Sequence, residues 1–427
     1  MRKLNTPYIV RLVVLESGER LPILCRRSTG LPLFEVTLYT LTQLRARNRA
    51  SATIQQAVRA VMVLCLVLDR LGIDLDQRLS DGRLLELGDV DEVVRWCRLP
   101  LEAFSDDEPK TASSRAKVLS LETIRMRTST ATGSEVDPTT AAIRIHYIRD
   151  YLQWRADAQL LKLRRNRASD SFSALKINSD IVCRALNERI PSSHGRNQLD
   201  QRQGMSESEL ATLVEVVQPT SPENPWKGDH AKERNALIVR WLLTLGVRRG
   251  ELLGVRVSDV NFQANEVLIA RRADDLADPR VREPNTKTRD RLLALNEDLS
   301  VLTHRYITGA RRRIEGARRH EYLFVANGTG APLSLGGLNK LFVVLRSKCP
   351  NLPDDLSAHI FRHTWNDKFS EVMDKQQVSE EIERKMRARL MGWSETSGTA
   401  ADYTRRHTVR KAREASLALQ RNLIKEI

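Results

Sequence analysis

The stretch that decides the fold is ERNALIVRWLLTLGVRRGELLGVRVSDV, residues 233–260. Apolar side chains recur at helical spacing from Ala236 to Leu245, and Gly246 follows at the position where glycine commonly ends a helix. The pattern predicts a second, short helix from Arg249. Arg248 falls in the break, where a side chain can leave the helix surface and point into a cleft, with Glu251 three residues on, able to hold it. An arginine in such a turn also serves as a surface cap, so this segment alone leaves both readings open.

Downstream, EVLIARR (266–272) and KTRDRLLAL (287–295) read as two strands of a hairpin joined by an acidic, proline-containing stretch. Lys287 begins the second run and is the only lysine between Lys232 and Lys340. The segment LSAHIFRHTWNDKFSEVM (356–373) puts His359 and Arg362 on one helix face, with His363 adjacent, and Phe361, Trp365 and Phe369 form a stripe expected to face the core. RLMGWSETSGTAADYTRRHT (389–408) contains Trp393 and Tyr403, the only tyrosine after Tyr322. Each signal has an ordinary structural reading: a solvated lysine, a packed histidine pair, a partly buried aromatic.

Upstream, YIVRLVVLE (8–16) and RLPILC (20–25) flank Ser17-Gly18 and predict a hairpin. From Leu33 the pattern turns helical, with two packed helices interrupted near Arg47–Ser51 and a further helix within 81–101. Residues 105–135 are polar and read as a loop. Asp137-Pro138 opens a strong helix to about Leu163, carrying Ile143, Tyr147, Tyr151 and Trp154 as core residues. The Arg-, Asn- and Ser-rich residues 164–204 read as a linker, after which Ser206 and Glu209 have the spacing of a capping box. The expected organisation is therefore an N-terminal hairpin (1–32), a helical domain (33–163), a linker (164–204), a second domain (205–410) and a helix-forming tail (411–427).

A chain of 427 residues with 41% hydrophobic and 29% charged residues reads as globular rather than disordered. Its net charge of +15 points to a polyanionic partner. Residues 203–427 hold 37 basic against 30 acidic side chains, a net of +7, leaving 32 against 24, or +8, for residues 1–202. A charge shared in this way excludes a single basic tail and favours successive domains that each touch the polyanion. Cys25, Cys65, Cys97, Cys183 and Cys349 are odd in number and far apart, which argues against a disulfide framework and for the cytoplasm. The start of the chain lacks the long apolar run of a signal peptide, the apolar run Val61–Leu68 is too short to span a bilayer, and no membrane role is expected. No phosphate-cradling G-x-x-x-x-G-K-[ST] loop or zinc spacing occurs, and Asp106-Asp107, Asp274-Asp275 and Asp354-Asp355 read as solvated turns.

Taken in order, TLGVRRGELLGVRVSDV, TKTRDR, HIFRHT, LMGW and DYTRRH resemble the tyrosine recombinases, or phage-type integrases, over residues 205–410. The resemblance implies a site of Arg248, Lys287, His359, Arg362, Trp393 and the nucleophile Tyr403; Glu251 joins it as a support for Arg248 by its spacing alone. Phe361 stands where the family more often has leucine, and Trp393 where many members have histidine. The implied fold is mainly α with a small antiparallel β-sheet in the catalytic domain, preceded by a helical core-binding domain. The implied activity is site-specific DNA recombination through a 3′-phosphotyrosyl link, with no metal and no other cofactor. The implied partners are double-stranded DNA and further copies of the chain, as a tetramer on two DNA sites, with accessory proteins possible. A type IB topoisomerase-like enzyme shares this chemistry, and a regulator with a dead site is the alternative from a different class.

Overall fold

The computed structural model describes residues 6–105, 135–192, 204–284, 288–394, 415–417 and 419–420. They divide into two compact units, 1–15 with 20–198, and 16–19 with 199–427. The first unit begins with antiparallel strands β1 (Tyr8–Val14) and β2 (Arg20–Arg26), paired from Tyr8 opposite Arg26 to Val14 opposite Arg20. Helices α1 (Phe34–Tyr39, continued as a π-helical turn Thr40–Arg45), α2 (Ser51–Leu71), α3 (Leu75–Ser80), α4 (Leu87–Cys97), α5 (Pro138–Arg165) and α6 (Ser169–Glu188) follow. Asp137 caps α5, its carboxylate accepting the Thr139 N–H at 2.8 Å.

The core of this unit is built on α2, whose Ala57, Val61, Val63 and Leu64 are fully buried. Each completely buried aliphatic side chain stabilises by about 1.5–3 kcal/mol relative to exposure. The run Val61–Leu68 is only the middle of a longer apolar segment: α2 is long and apolar enough to cross a membrane by length and composition, and most of it is buried inside the structure.

Four expectations for this unit change. The N-terminal hairpin is part of the helical core, because Tyr8, Leu21 and Leu24 are buried in the same cluster as α2. The helix expected within 81–101 is shorter, since α3 ends at Ser80 and Glu86 begins α4 with a capping box to Asp89. Of the core residues expected on α5 only Tyr151 is buried, beside a fully buried stripe of Ile145, Ile148, Leu152 and Ala156, while Ile143, Tyr147 and Trp154 are half-buried. The presumed linker contains the twenty-residue helix α6. Its inward positions Leu175, Ser179, Val182 and Leu186 have helical spacing, but Ser179 interrupts the apolar signal; buried, it donates its hydroxyl to the Lys176 carbonyl at 2.9 Å.

The second unit contains α7 (Glu207–Val216), α8 (Asp229–Leu245), α9 (Arg249–Gly254), a three-stranded antiparallel sheet β3-β4-β5 (Val260–Asn261, Glu266–Ile269, Arg291–Ala294), α10 (Glu297–Tyr306), α11 (Leu335–Lys348), α12 (Ala358–Lys375) and α13 (Glu380–Met391). The Ser206–Glu209 capping box is formed, with the Ser206 N–H donating to Glu209 at 2.7 Å and the Glu209 N–H to Ser206 at 3.3 Å. The expected hairpin pairs Glu266 opposite Ala294 through Ile269 opposite Arg291, and the short strand β3 adds an edge that its two residues were too few to signal. Trp241, Phe324 and Phe361 anchor the core of this unit. The mainly helical fold with small antiparallel sheets agrees with the sequence reading.

Two readings here are corrected as well. Only Phe361 of the expected aromatic stripe enters the core; Trp365 and Phe369 stack on each other, half-buried, with ring centroids 5.0 Å apart. The buried face of α12 is instead mostly polar: Arg362, His363, Thr364, Asn366 and Ser370. Asp275 is not a solvated turn residue, because it pairs with Arg256 and accepts the Tyr322 hydroxyl at 2.8 Å. Burial would raise its pKa, but the hydrogen bonds from Tyr322 and Ala277 and the Arg256 guanidinium hold it below the usual carboxylate range.

Candidate active site

The break after α8 creates the first part of the site. Gly246 has φ +58°, and a Cβ there would lie 2.7 Å from the Trp365 ring, so this turn requires glycine on both counts. Arg248 occupies the N-cap position of α9 in extended backbone and shares a capping box with Glu251. Its backbone N–H donates to Glu251 at 2.8 Å, and its Nη1 lies 3.5 Å from the same carboxylate. That buried Nη1 makes no hydrogen bond among the described residues, although the side chain as a whole is one-third exposed (34%).

Glu251 is the hub beneath this arginine. It is 2% exposed and accepts Arg291 Nη2 at 2.9 Å, Arg291 Nη1 at 3.3 Å and the Thr288 hydroxyl. Burial pushes its pKa up, but Arg291, the Thr288 hydroxyl and the nearby Arg362 outweigh it and hold the carboxyl below its ordinary value. Arg291 also donates Nε to the Leu390 carbonyl at 2.6 Å, tying β5 to the end of α13. Sequence reasoning treated Arg291 and Thr288 only as part of a strand run. The signal was Arg291 at an inward position of that strand, since an inward charge demands a partner.

Arg362 reaches the same place from α12. It is 2% exposed, and its Nη1 donates to the Gly246 carbonyl at 2.7 Å and its Nη2 to the Met391 carbonyl at 3.4 Å. The carbonyl that closes α8 therefore also fixes the second arginine. Trp393, buried just past the C-terminus of α13, places its ring 5.1 Å from the Arg362 guanidinium carbon and 6.0 Å from that of Arg248. Two guanidiniums within 6.0 Å of one aromatic ring, one of them beside a buried carboxylate, favour an incoming anion with paired acceptor oxygens.

The structure thus brings Arg248, Glu251, Arg362 and Trp393 together. His359 is in the first turn of α12, exposed, one turn before Arg362, and its ring packs edge-on against the buried His363 with centroids 4.3 Å apart. Lys287 and Tyr403 lie outside the described residues, as do most of the polar segment 105–135 and most of the tail 411–427. Thr288, the residue after Lys287, is the one bonded to Glu251.

Gly392, between α13 and Trp393, has φ +66°, and a Cβ there would approach Arg291 Nη1 at 2.8 Å, the Thr288 Cβ at 2.9 Å and the Arg289 carbonyl at 3.0 Å. Gly392→Ala is expected to destabilise the second unit by about 1–3 kcal/mol from backbone strain alone. Denaturant unfolding checks this, and an unchanged midpoint would show that the turn relaxes freely.

Residues 204–410 match the model of the phage integrase family. Among solved structures, the chain is similar to the Tn1549 transposon integrase in complex with transposon right end DNA, at 14% identity over 89% of this chain and 100% of that one, with a TM-score of 0.47. It is similar to the XerH site-specific recombinase bound to difH substrate, at 13% identity over 87% and 90%, with a TM-score of 0.42. It is also similar to the XerA recombinase, at 14% identity over 87% and 92%, with a TM-score of 0.34. No curated protein sequence matches the chain.

Proposed function

We infer the activity from the premise that residues 204–410 belong to the phage integrase family: the protein is a tyrosine recombinase, an enzyme that breaks and rejoins DNA strands at defined sites. The observation that carries the active-site assignment is the approach of Arg248 and Arg362 to the one Trp393 ring, with Arg248 beside the buried Glu251. A phosphodiester under attack gathers negative charge on its nonbridging oxygens, and donors fixed in advance at that point lower the barrier. Arg248 and Arg362 supply those donors.

Tyr403 attacks phosphorus, forming the Tyr–O–P bond while the bond to the 5′ oxygen breaks. A phenol titrates near pH 10, so it needs a proton acceptor in reach, and His359 is the side chain suited to exchange one near neutrality. Lys287 gives a proton to the departing 5′ oxygen. The Trp393 indole braces both guanidiniums and offers an N–H to a phosphate oxygen. The ester is exchanged rather than hydrolysed, so attack by a 5′ hydroxyl on the 3′-phosphotyrosine reseals the strand.

The positive charge of both halves of the chain suits two units that each hold backbone phosphates of one duplex. Recombination needs two such duplexes, and the proposed assembly is four copies on two sites, serving integration, excision or transposition of a DNA element. A plasmid test distinguishes this from a relaxing enzyme. Recombinant products should appear only when two inverted-repeat sites from the DNA flanking the gene are present; efficient relaxation of a plasmid lacking any site, without recombinants, would contradict the recombinase reading.

A further inference from the structure

Behind the arginine pair lies a buried polar cluster that the chemistry above does not use. Arg387, on α13, is 0% exposed, and Glu383, one turn earlier, is 5% exposed. Arg387 donates Nη2 to Glu383 and to Ser370 Oγ at 2.6 Å, and Nη1 to the carbonyl of Asn366 at 3.2 Å and its side-chain oxygen at 3.1 Å. Ser370 in turn donates to Glu383 at 2.9 Å. The cluster reaches the site in a single step, because Asn366 Nδ2 donates to the Arg362 backbone carbonyl at 2.7 Å.

Stability does not explain an interior of this kind. Replacing a buried ion pair by apolar side chains of similar volume is often neutral or stabilising, so such a pair is weak ground for stability and suits a role in fixing register. Here the register concerned is that of α13 against α12. α12 carries Arg362 and α13 ends at Met391, whose carbonyl Arg362 grips, and Trp393 follows with its backbone N–H donating to the Ala388 carbonyl at 2.8 Å. A slip of one helix along the other would change the 5.1 Å spacing between the Arg362 guanidinium and the Trp393 ring.

We propose that Arg387 is a positioning residue for strand cleavage: its forked bonds to Asn366, Ser370 and Glu383 lock α13 to α12 and so hold Arg362 and Trp393 in cleaving geometry. The inference rests on the recombinase reading, and its test separates the two. Two full-length variants are compared with the wild type. The first, Arg387→Met with Glu383→Leu, removes both charges together, leaving none buried alone. The second, Arg387→Lys, keeps the charge beside Glu383 but loses the fork.

Both should bind a DNA site within about twofold of the wild type; the double variant should unfold at the wild-type denaturant midpoint or above it, and Arg387→Lys somewhat below it, because buried acceptors on Asn366 and Ser370 lose a donor. Their single-turnover cleavage of nicked suicide DNA should fall by on the order of 10–100-fold, the penalty expected of a misplaced catalytic group. A merely structural role would lower the midpoint and DNA binding along with cleavage, or leave all three unchanged in the double variant; either result overturns the proposal. If both variants unfold, the cluster is a stability element and the proposal is likewise overturned. Wild-type protein that forms no covalent adduct in the same assay would instead defeat the recombinase reading on which the inference rests.

Discussion

Replacing Arg362 by alanine is expected to slow strand cleavage by about 10²–10³-fold, the usual consequence of deleting one fixed donor from a site of developing negative charge. Arg362 is enclosed, with the Gly246 and Met391 carbonyls on its guanidinium. Its loss also leaves two buried acceptors short of a donor and so destabilises the fold. Two companions separate rate from folding. Arg362→Lys fills the space and keeps the charge but lacks the planar fork, so its rate should stay low while its stability recovers. Arg248→Ala removes a side chain that is one-third exposed, so it should match the loss in rate with little loss of stability. A near-normal cleavage rate in Arg248→Ala would show that the phosphate clamp is misplaced.

The second large effect is expected at Glu251. Removing one partner of a buried, hydrogen-bonded charge cluster costs about 3–5 kcal/mol, because the partners left behind remain charged and uncompensated. Glu251→Gln should therefore destabilise the second unit strongly and loosen Arg248, whose backbone N–H the carboxylate holds. The pH dependence has a definite sign. The folded carboxyl titrates below its ordinary value, so its contribution is fully present above the unfolded value, about 4.3, and is lost as the pH falls through the folded one. The gap in unfolding free energy between wild type and Glu251→Gln should be widest near neutrality and narrow as the pH drops below about 4. A gap independent of pH would mean that the folded carboxyl titrates at its unfolded value, and a gap that widens as the pH falls would mean that it is held neutral.

The parts of the fold legible in the sequence were those whose local signal and tertiary role agree. Gly246 ends a helix, Ser206 and Glu209 begin one, and β4 and β5 pair in the expected hairpin. What stayed hidden was polar matter inside. Ser179 broke the apolar stripe of α6 and made a helix look like a linker. On α12 the buried face carries Arg362, Asn366 and Ser370, so the most apolar side of the sequence is not the inner one, and Trp365 and Phe369 lie only half-buried. Arg248, Arg362 and Trp393 are legible in the sequence only through the resemblance of their types and order to a family, and Glu251 only through its spacing from Arg248. Arg291 and Thr288, which hold Glu251, are recognisable only once the strand's inward positions are known.

The central claim is that Tyr403 becomes covalently joined to DNA. The direct measurement is to incubate wild-type protein and Tyr403→Phe with nicked suicide DNA in EDTA, resolve the products under denaturing conditions and map any adduct by peptide mass spectrometry. Wild-type protein should form a 3′-phosphate adduct on the peptide containing Tyr403, and Tyr403→Phe should bind the same DNA with unchanged affinity and form none. An adduct that persists in Tyr403→Phe, or one that maps to another residue, would contradict the account.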